Sequence, residues 1–268
     1  MRTYYYEKKM QIIRTNMKKS AYHILFAAIA TVMLFSCRQT PKQDATRFTD
    51  TEVVHRLQDE LTQVIIYDVF TPPVASRIYA YSSLAGYEAI RWADSSSWSL
   101  AERMHGFGPM PRPEAGRKYD FGLAYASAFA EMALHVVFSK DTLKVYLDEV
   151  YAHYQGQLDK EVYDNSVAFG KKVGEQVWLR AKDDNYLKSR SKPKYLGSEE
   201  PGKWRPTPPD YLDGVEFCWN EIHALVLDSA SQFLPPPPPP YTMDSNSTFY
   251  NMAKEVYTVS NNLTPEQR

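Results

Sequence analysis

Eleven of the chain's 18 prolines fall between Pro193 and Pro240. Proline removes a backbone donor and clashes with the preceding helical turn, so neither a long helix nor a central strand can run through that stretch. Before it, apolar residues recur at helical spacing. Val53, Leu57, Leu61, Val64, Ile65 and Val69 keep the 3.6-residue period. Thr49 and Glu52, three residues apart, spell a capping box at the start of that helix. Thr71-Pro72-Pro73 ends it and opens a second helix, because proline suits a first turn. The second helix runs to about Trp92, with Val74, Ile78, Tyr81, Ala85 and Ala89 on one face.

Residues 94–117 carry three prolines and three glycines and read as a loop. A third helix spans roughly 118–138, where Ala124, Ala126, Ala128, Ala130 and Ala133 predict close helix packing. Ser139 caps a fourth, from Lys140 to about Gln155, and a fifth runs from Leu158 to about Lys182 with Val162, Phe169, Val173 and Val177 inward. Short connections predict antiparallel neighbours. The fold class that follows is all-α: an antiparallel helical bundle over 49–184, a proline-rich irregular segment over 185–245, and a further helix at about 246–260.

Within the irregular segment, Pro235 to Pro240 form an unbroken run. It should be a left-handed extended rod, roughly 19 Å long at about 3.1 Å per residue. Trp204, Trp219, Phe233 and Tyr241 surround it in sequence, so it packs either on its own domain or in a partner's aromatic groove. Further on, Thr264, Pro265 and Glu266 fit an N-cap, a first turn and a dipole-compensating acid. A helix is starting where the sequence stops. Residues 246–268 are therefore expected to hold a helix and the start of a further, truncated part of the chain.

The first 37 residues read as an address. Ser20 to Ser36 contain no formal charge, follow Lys18 and Lys19, and end at Cys37. A basic region, a short apolar stretch and a small residue before the break describe a secretory signal. Leu34-Phe35-Ser36-Cys37 resembles a bacterial lipobox, in which the cysteine is acylated, so Cys37 is the expected lipidation site. Translation could begin at Met1 or at Met17, which heads a more typical signal. The alternative is an uncleaved N-terminal anchor. The expected location is outside the cytoplasm, lipid-anchored to a bacterial membrane and facing the periplasm or the exterior. Residues 38–48 are polar and form the tether.

Charge and cysteine content exclude several functions. The whole chain has 31 basic and 32 acidic residues, which argues against a nucleic-acid partner. Loss of residues 1–37 removes six basic residues and one acid, leaving 25 against 31 and a net charge of -6. Membrane attachment would then rest on the lipid rather than on charge. Two cysteines rule out a disulfide scaffold and a four-cysteine zinc site. Cys218, alone in the mature chain, reads as a core thiol. A homo-oligomer is compatible with all of this.

Chemical motifs are sparse. Gly197 to Lys203 matches the Gly-x4-Gly-Lys part of a phosphate loop, but Trp204 stands where a Mg²⁺-binding hydroxyl is needed and no strand precedes, so a turn is expected. His55/Asp59, Glu131/His135 and Glu149/His153 are acid–histidine pairs at helical spacing, each able to offer two metal ligands. Neither Glu-x-x-His nor His-Glu-x-x-His occurs, and solvated or satisfied pairs are expected. Gly-x-Ser-x-Gly is absent too.

Pro72 to Ile90 (PPVASRIYAYSSLAGYEAI) resembles the second helix of bacterial vanadium-dependent haloperoxidase-like proteins, within the type 2 phosphatidic acid phosphatase superfamily. Gly202 to Pro209, Cys218-Trp219 and Leu227 to Tyr241 resemble the same family's middle segment. The resemblance implies an all-helical fold of paired bundles. It also implies a site in a C-terminal half, where a lysine, an Arg-Pro, a Ser-Gly-His and an Arg plus His hold vanadate or a phosphoryl group. Such an oxyanion needs arginine forks, and a histidine must bond the metal or attack phosphorus. No glycine precedes a histidine here, and His105 and Ser198, not lysine, stand seven residues before the Arg-Pro pairs at Arg112 and Arg205. The resemblance therefore carries over no catalytic, cofactor-binding or metal-ligating residue. Vanadate, or phosphate at the same site, and a small-molecule substrate would require the missing half. The expectation is an N-terminal fragment of a lipid-anchored haloperoxidase-like or phosphatase-like enzyme, inactive by itself. The competing one is a non-enzymatic helical lipoprotein that binds a glycan or protein through its aromatics.

Overall fold

The computed structural model describes residues 50–268. The signal, Cys37, the tether and the Thr49 cap lie outside those residues. Among the described residues there are helices and no strands, so the fold is all-α. The long helices are α1 (Asp50–Tyr67), α2 (Pro72–Ile90), α3 (Phe121–Val136), α4 (Lys140–Gln155) and α5 (Lys160–Lys182). A short α6 (Tyr186–Arg190) follows, and α7 (Thr248–Asn261) comes after the prolines. The irregular segment thus carries one helical turn and a half that its composition did not announce, plus a 3₁₀ turn at Trp219–Glu221.

α3 is the centre of the bundle. Its residues from Gly122 to Ala130 are all buried, as expected of a helix apolar on every side. One face, with Leu123, Ala126, Phe129 and Ala133, joins a core shared with α1, α2 and α4. The other, with Ala124, Ala128 and Met132, joins a second core shared with α2 and α5. Asp120 caps α3 by accepting a hydrogen bond from the Leu123 amide at 2.8 Å. Ser139 stands at the N-cap of α4, but its hydroxyl makes no capping bond. Asp68, from the turn after α1, instead accepts from the Phe138 and Ser139 amides at 2.8 and 3.1 Å.

α1 and α2 run antiparallel, shown by Tyr79 bonding Thr62 and Ser83 bonding Gln58. The closest pair, however, is not adjacent in sequence. α3 and α5 run parallel, with α4 as the crossover between them. Ser127 donates to the Val167 carbonyl, and further along Glu175 reaches His135. Two glycines four apart permit this approach. A Cβ at Gly170 would collide with the Ala124 carbonyl, and one at Gly174 would lie 2.7 Å from the Ala128 carbonyl and 2.6 Å from Glu131 Cβ.

Candidate functional site

Where α2 and α5 cross, apolar packing gives way to two buried arginines. Arg77 on α2 donates Nε–H to Asp184 Oδ2 at 2.6 Å and another N–H to the Ala181 carbonyl at 2.6 Å. Its guanidinium lies 4.4 Å from the Tyr186 ring centroid. Asp184 also accepts from the Tyr186 amide at 3.0 Å, so both carboxylate oxygens are used. Arg180, one turn earlier on α5, donates to the His105 carbonyl at 2.7 Å, to the Tyr81 hydroxyl at 3.2 Å, and to the His223 and Ala224 carbonyls at 3.2 Å. Burial, and then the Asp184 carboxylate, push the Tyr81 phenol well above its ordinary value, which keeps it neutral.

This network closes one wall of a cleft of about 330 Å³, lined by His105, Gly106, Arg180, Asp183, His223 and Asp228 among others. Gly106 is needed there: its φ is +79°, and a Cβ would lie 2.6 Å from Arg180 Nε. The cleft does not suit an oxyanion. Arg180 spends its donors on backbone carbonyls, and Asp183 and Asp228 share the lining. The two Arg-Pro arginines offer no substitute. Arg112 is an exposed partner of Glu102 at 3.7 Å and Arg205 of Glu199 at 3.3 Å.

A second concave surface lies in the proline-rich segment. Tyr195, Trp204 and Phe217 line a groove of about 630 Å³ together with Leu212, Val215 and Asp213. Tyr195 is tilted against both partners, at 5.7 Å from Trp204 and 6.3 Å from Phe217. The Gly197–Lys203 stretch is a turn, with no helix following it. Gly202, at φ +79°, lets the Tyr241 ring approach, and the turn shares a groove with Pro238, Pro239 and Pro240. The end of the proline rod therefore faces its own domain.

The acid–histidine pairs separate cleanly. His55 and Asp59 are both exposed on α1. His153 is half-buried beside Tyr154, and burial lowers its pKa. At the third pair, Glu175 of α5 joins Glu131 and His135 of α3, a partner that helical spacing within one element could not reveal. Cys218 is half-buried at a turn near Lys192 and Glu221 rather than in the core, and desolvation, then Glu221, raises its thiol pKa. Among the buried charged residues that sequence reading passed over are Arg77, Arg180, Asp184 and, paired with Arg91, Glu88. Their signal was available in principle, since a charged residue on a predicted buried helix face demands a partner.

No protein-family model matches the chain, and no curated protein matches it. Among solved structures, it is similar to one described as the first bacterial vanadium-dependent iodoperoxidase. The two are 37% identical with a TM-score of 0.77; the match covers 84% of this chain and 54% of that one. The chain thus spans about half the length of the iodoperoxidase it matches. Neither the Arg180 cleft nor the exposed Arg112 and Arg205 fit vanadate, since Arg180 spends its donors on carbonyls and the other two are paired with glutamates.

Proposed function

Because the chain belongs to the vanadium-dependent haloperoxidase-like superfamily, we propose that it is the helical, non-catalytic part of a lipid-anchored haloperoxidase-like or phosphatase-like enzyme. The observation that carries this reading is the match itself: it spans 84% of this chain but only 54% of the iodoperoxidase. The lack of a Ser-Gly-His in the sequence supports it. So does α7, where Met252, Val256 and Val259 form an exposed stripe at helical spacing (54%, 68% and 57% exposed). An apolar stripe of that kind is what a further packed element would cover. In this reading the present residues build the scaffold, and the oxyanion ligands come from the rest of the protein.

The test has two arms. The purified chain is assayed with vanadate, halide and peroxide, and separately with an aryl phosphate. No turnover above a heat-killed control is expected; activity in either assay overturns the non-catalytic reading. The genomic DNA after codon 268, translated in all frames, should encode Ser-Gly-His, and its absence there would count against the family assignment of function.

The Tyr195–Trp204–Phe217 groove supports a second reading, a lipoprotein that holds a glycan or protein partner on aromatic rings. Trp204→Ala would then abolish retention in glycan affinity electrophoresis. Equal mobility of wild type and variant across a glycan panel would remove the glycan form of this reading.

A further inference from the structure

We propose that Glu131, His135 and Glu175 bind one divalent transition-metal ion of the zinc or nickel type, clamping α3 to α5. His135 Nε2 lies 3.5 Å from Glu131 Oε1 and 3.4 Å from Glu175 Oε2, and the three donor atoms are all within 4.8 Å of one another. A zinc ion about 2.0–2.2 Å from each ligand holds tetrahedral neighbours roughly 3.3–3.6 Å apart. Two of the three spacings already have that value. They are also too long for good N–H···O hydrogen bonds, which run at about 2.7–3.2 Å. The imidazole nitrogen faces two carboxylates without bonding closely to either.

The donors are fixed from behind. His135 stacks on Trp178 at 4.6 Å with an interplanar angle of 1°, which sets the ring plane. Glu131 and His135 are one turn apart on α3. Gly174 packs beneath Glu131, so the parallel contact of α3 and α5 delivers Glu175 to the same spot. With a neutral imidazole the cluster carries two negative charges, which a divalent ion neutralises. One imidazole and two carboxylates suit zinc, nickel or copper, whereas magnesium and calcium favour oxygen ligands alone. The three side chains are 29%, 33% and 53% exposed, so water completes the shell on the open side. A site with this much exposure clamps two helices and carries no implied chemistry.

Calorimetric titration of the untagged, chelator-stripped chain with Zn²⁺ should show one saturable site. Ni²⁺ should quench tryptophan fluorescence, and Trp178→Phe should remove most of the quenching, because Trp178 is the indole stacked on His135. His135→Ala and Glu175→Gln should each weaken Zn²⁺ binding by more than about tenfold, the smallest loss usual for a disturbed metal site. His55→Ala, at a pair with no third ligand in reach among the described residues, should leave it unchanged. His55, His135 and Glu175 are exposed and Trp178 is half-buried against the second core, and circular dichroism should confirm unchanged folding of each variant. Absence of saturable Zn²⁺ binding, or binding that survives both His135→Ala and Glu175→Gln, overturns the proposal.

Discussion

Arg77 and Asp184, 107 positions apart, share a 2.6 Å hydrogen bond in which the carboxylate is fully buried. The pair links α2 to the end of α5, and Asp184 continues the link by accepting through its backbone carbonyl from the His223 amide. Next to it Arg180 ties the same helix to residues 105, 223 and 224. Two arginines thus fasten the proline-rich segment to the bundle, beside the apolar contacts that Trp219 and Leu225 make with the two cores. The half-buried carbonyls of residues 105, 223 and 224 gain a charged donor.

Removing one member of that pair leaves the other charge buried. Arg77→Met or Asp184→Leu should each lower unfolding free energy by about 3–5 kcal/mol in urea titrations. The double variant should lose less than the sum of the two. A single variant within about 0.5 kcal/mol of wild type would show that the pair contributes no more than a surface contact.

Gly170 and Gly174 should tolerate no methyl group. Gly170→Ala forces the new carbon against the Ala124 carbonyl, a backbone atom that cannot swing aside. An overpacking cost of about 1–3 kcal/mol is expected. Gly156→Ala is the control. Its φ is -78° and its nearest neighbours are 3.5 Å away, so it should be neutral or slightly stabilising. Equal melting temperatures for Gly170→Ala and Gly156→Ala would contradict the close α3–α5 contact.

Buried phenols make stability fall at high pH. Burial pushes Tyr125 up to about 12, and burial, first among several causes, does the same for Tyr151. Between pH 10 and 12 the unfolded chain releases these protons while the native chain keeps them, so the native state loses stability as pH rises. For Tyr125, which is 7% exposed, the loss is on the order of 2–3 kcal/mol. Absorbance at the tyrosinate band should show ionisation delayed relative to the unfolded chain, and Tyr125→Phe should shrink the delayed fraction. A titration that overlays the unfolded one would refute this.

Cys37 should take up a fatty-acid probe in cells. Cys37→Ala should remove the label and release the chain from the membrane fraction. Equal labelling of both proteins would show that the Ser36-Cys37 junction is not the acylation site. Among the described residues no helix is long and apolar enough to cross a membrane.

Relieving the apolar stripe of α7 should cost little. Val256 is 68% exposed, so Val256→Lys should leave the melting temperature within about 2 °C, as usual for surface changes. It should also reduce aggregation at high protein concentration. A large loss of stability would mean that this face is already packed.

The helices were legible because their signal is local. Val53, Leu57 and Leu61 recur at a period that only a helix can bring to one face, and the structure buries all three completely. Proline gave the opposite signal just as locally: no long helix interrupts residues 193–240. The sequence of itself therefore determined the fold class, the order of the helices and the place where regular structure stops. Tertiary structure alone decided which helices meet. The alanines of α3 announce close packing but name no partner, and the choice of α5, parallel and across an intervening helix, depends on Gly170 and Gly174 fitting the Ala124 and Ala128 carbonyls. The same choice brings Glu175 to His135, and the crossing of α2 with α5 brings Arg77 to Asp184. Residues separated by 40 or more positions meet only when complementary surfaces interlock, and no window of sequence shorter than that separation records it.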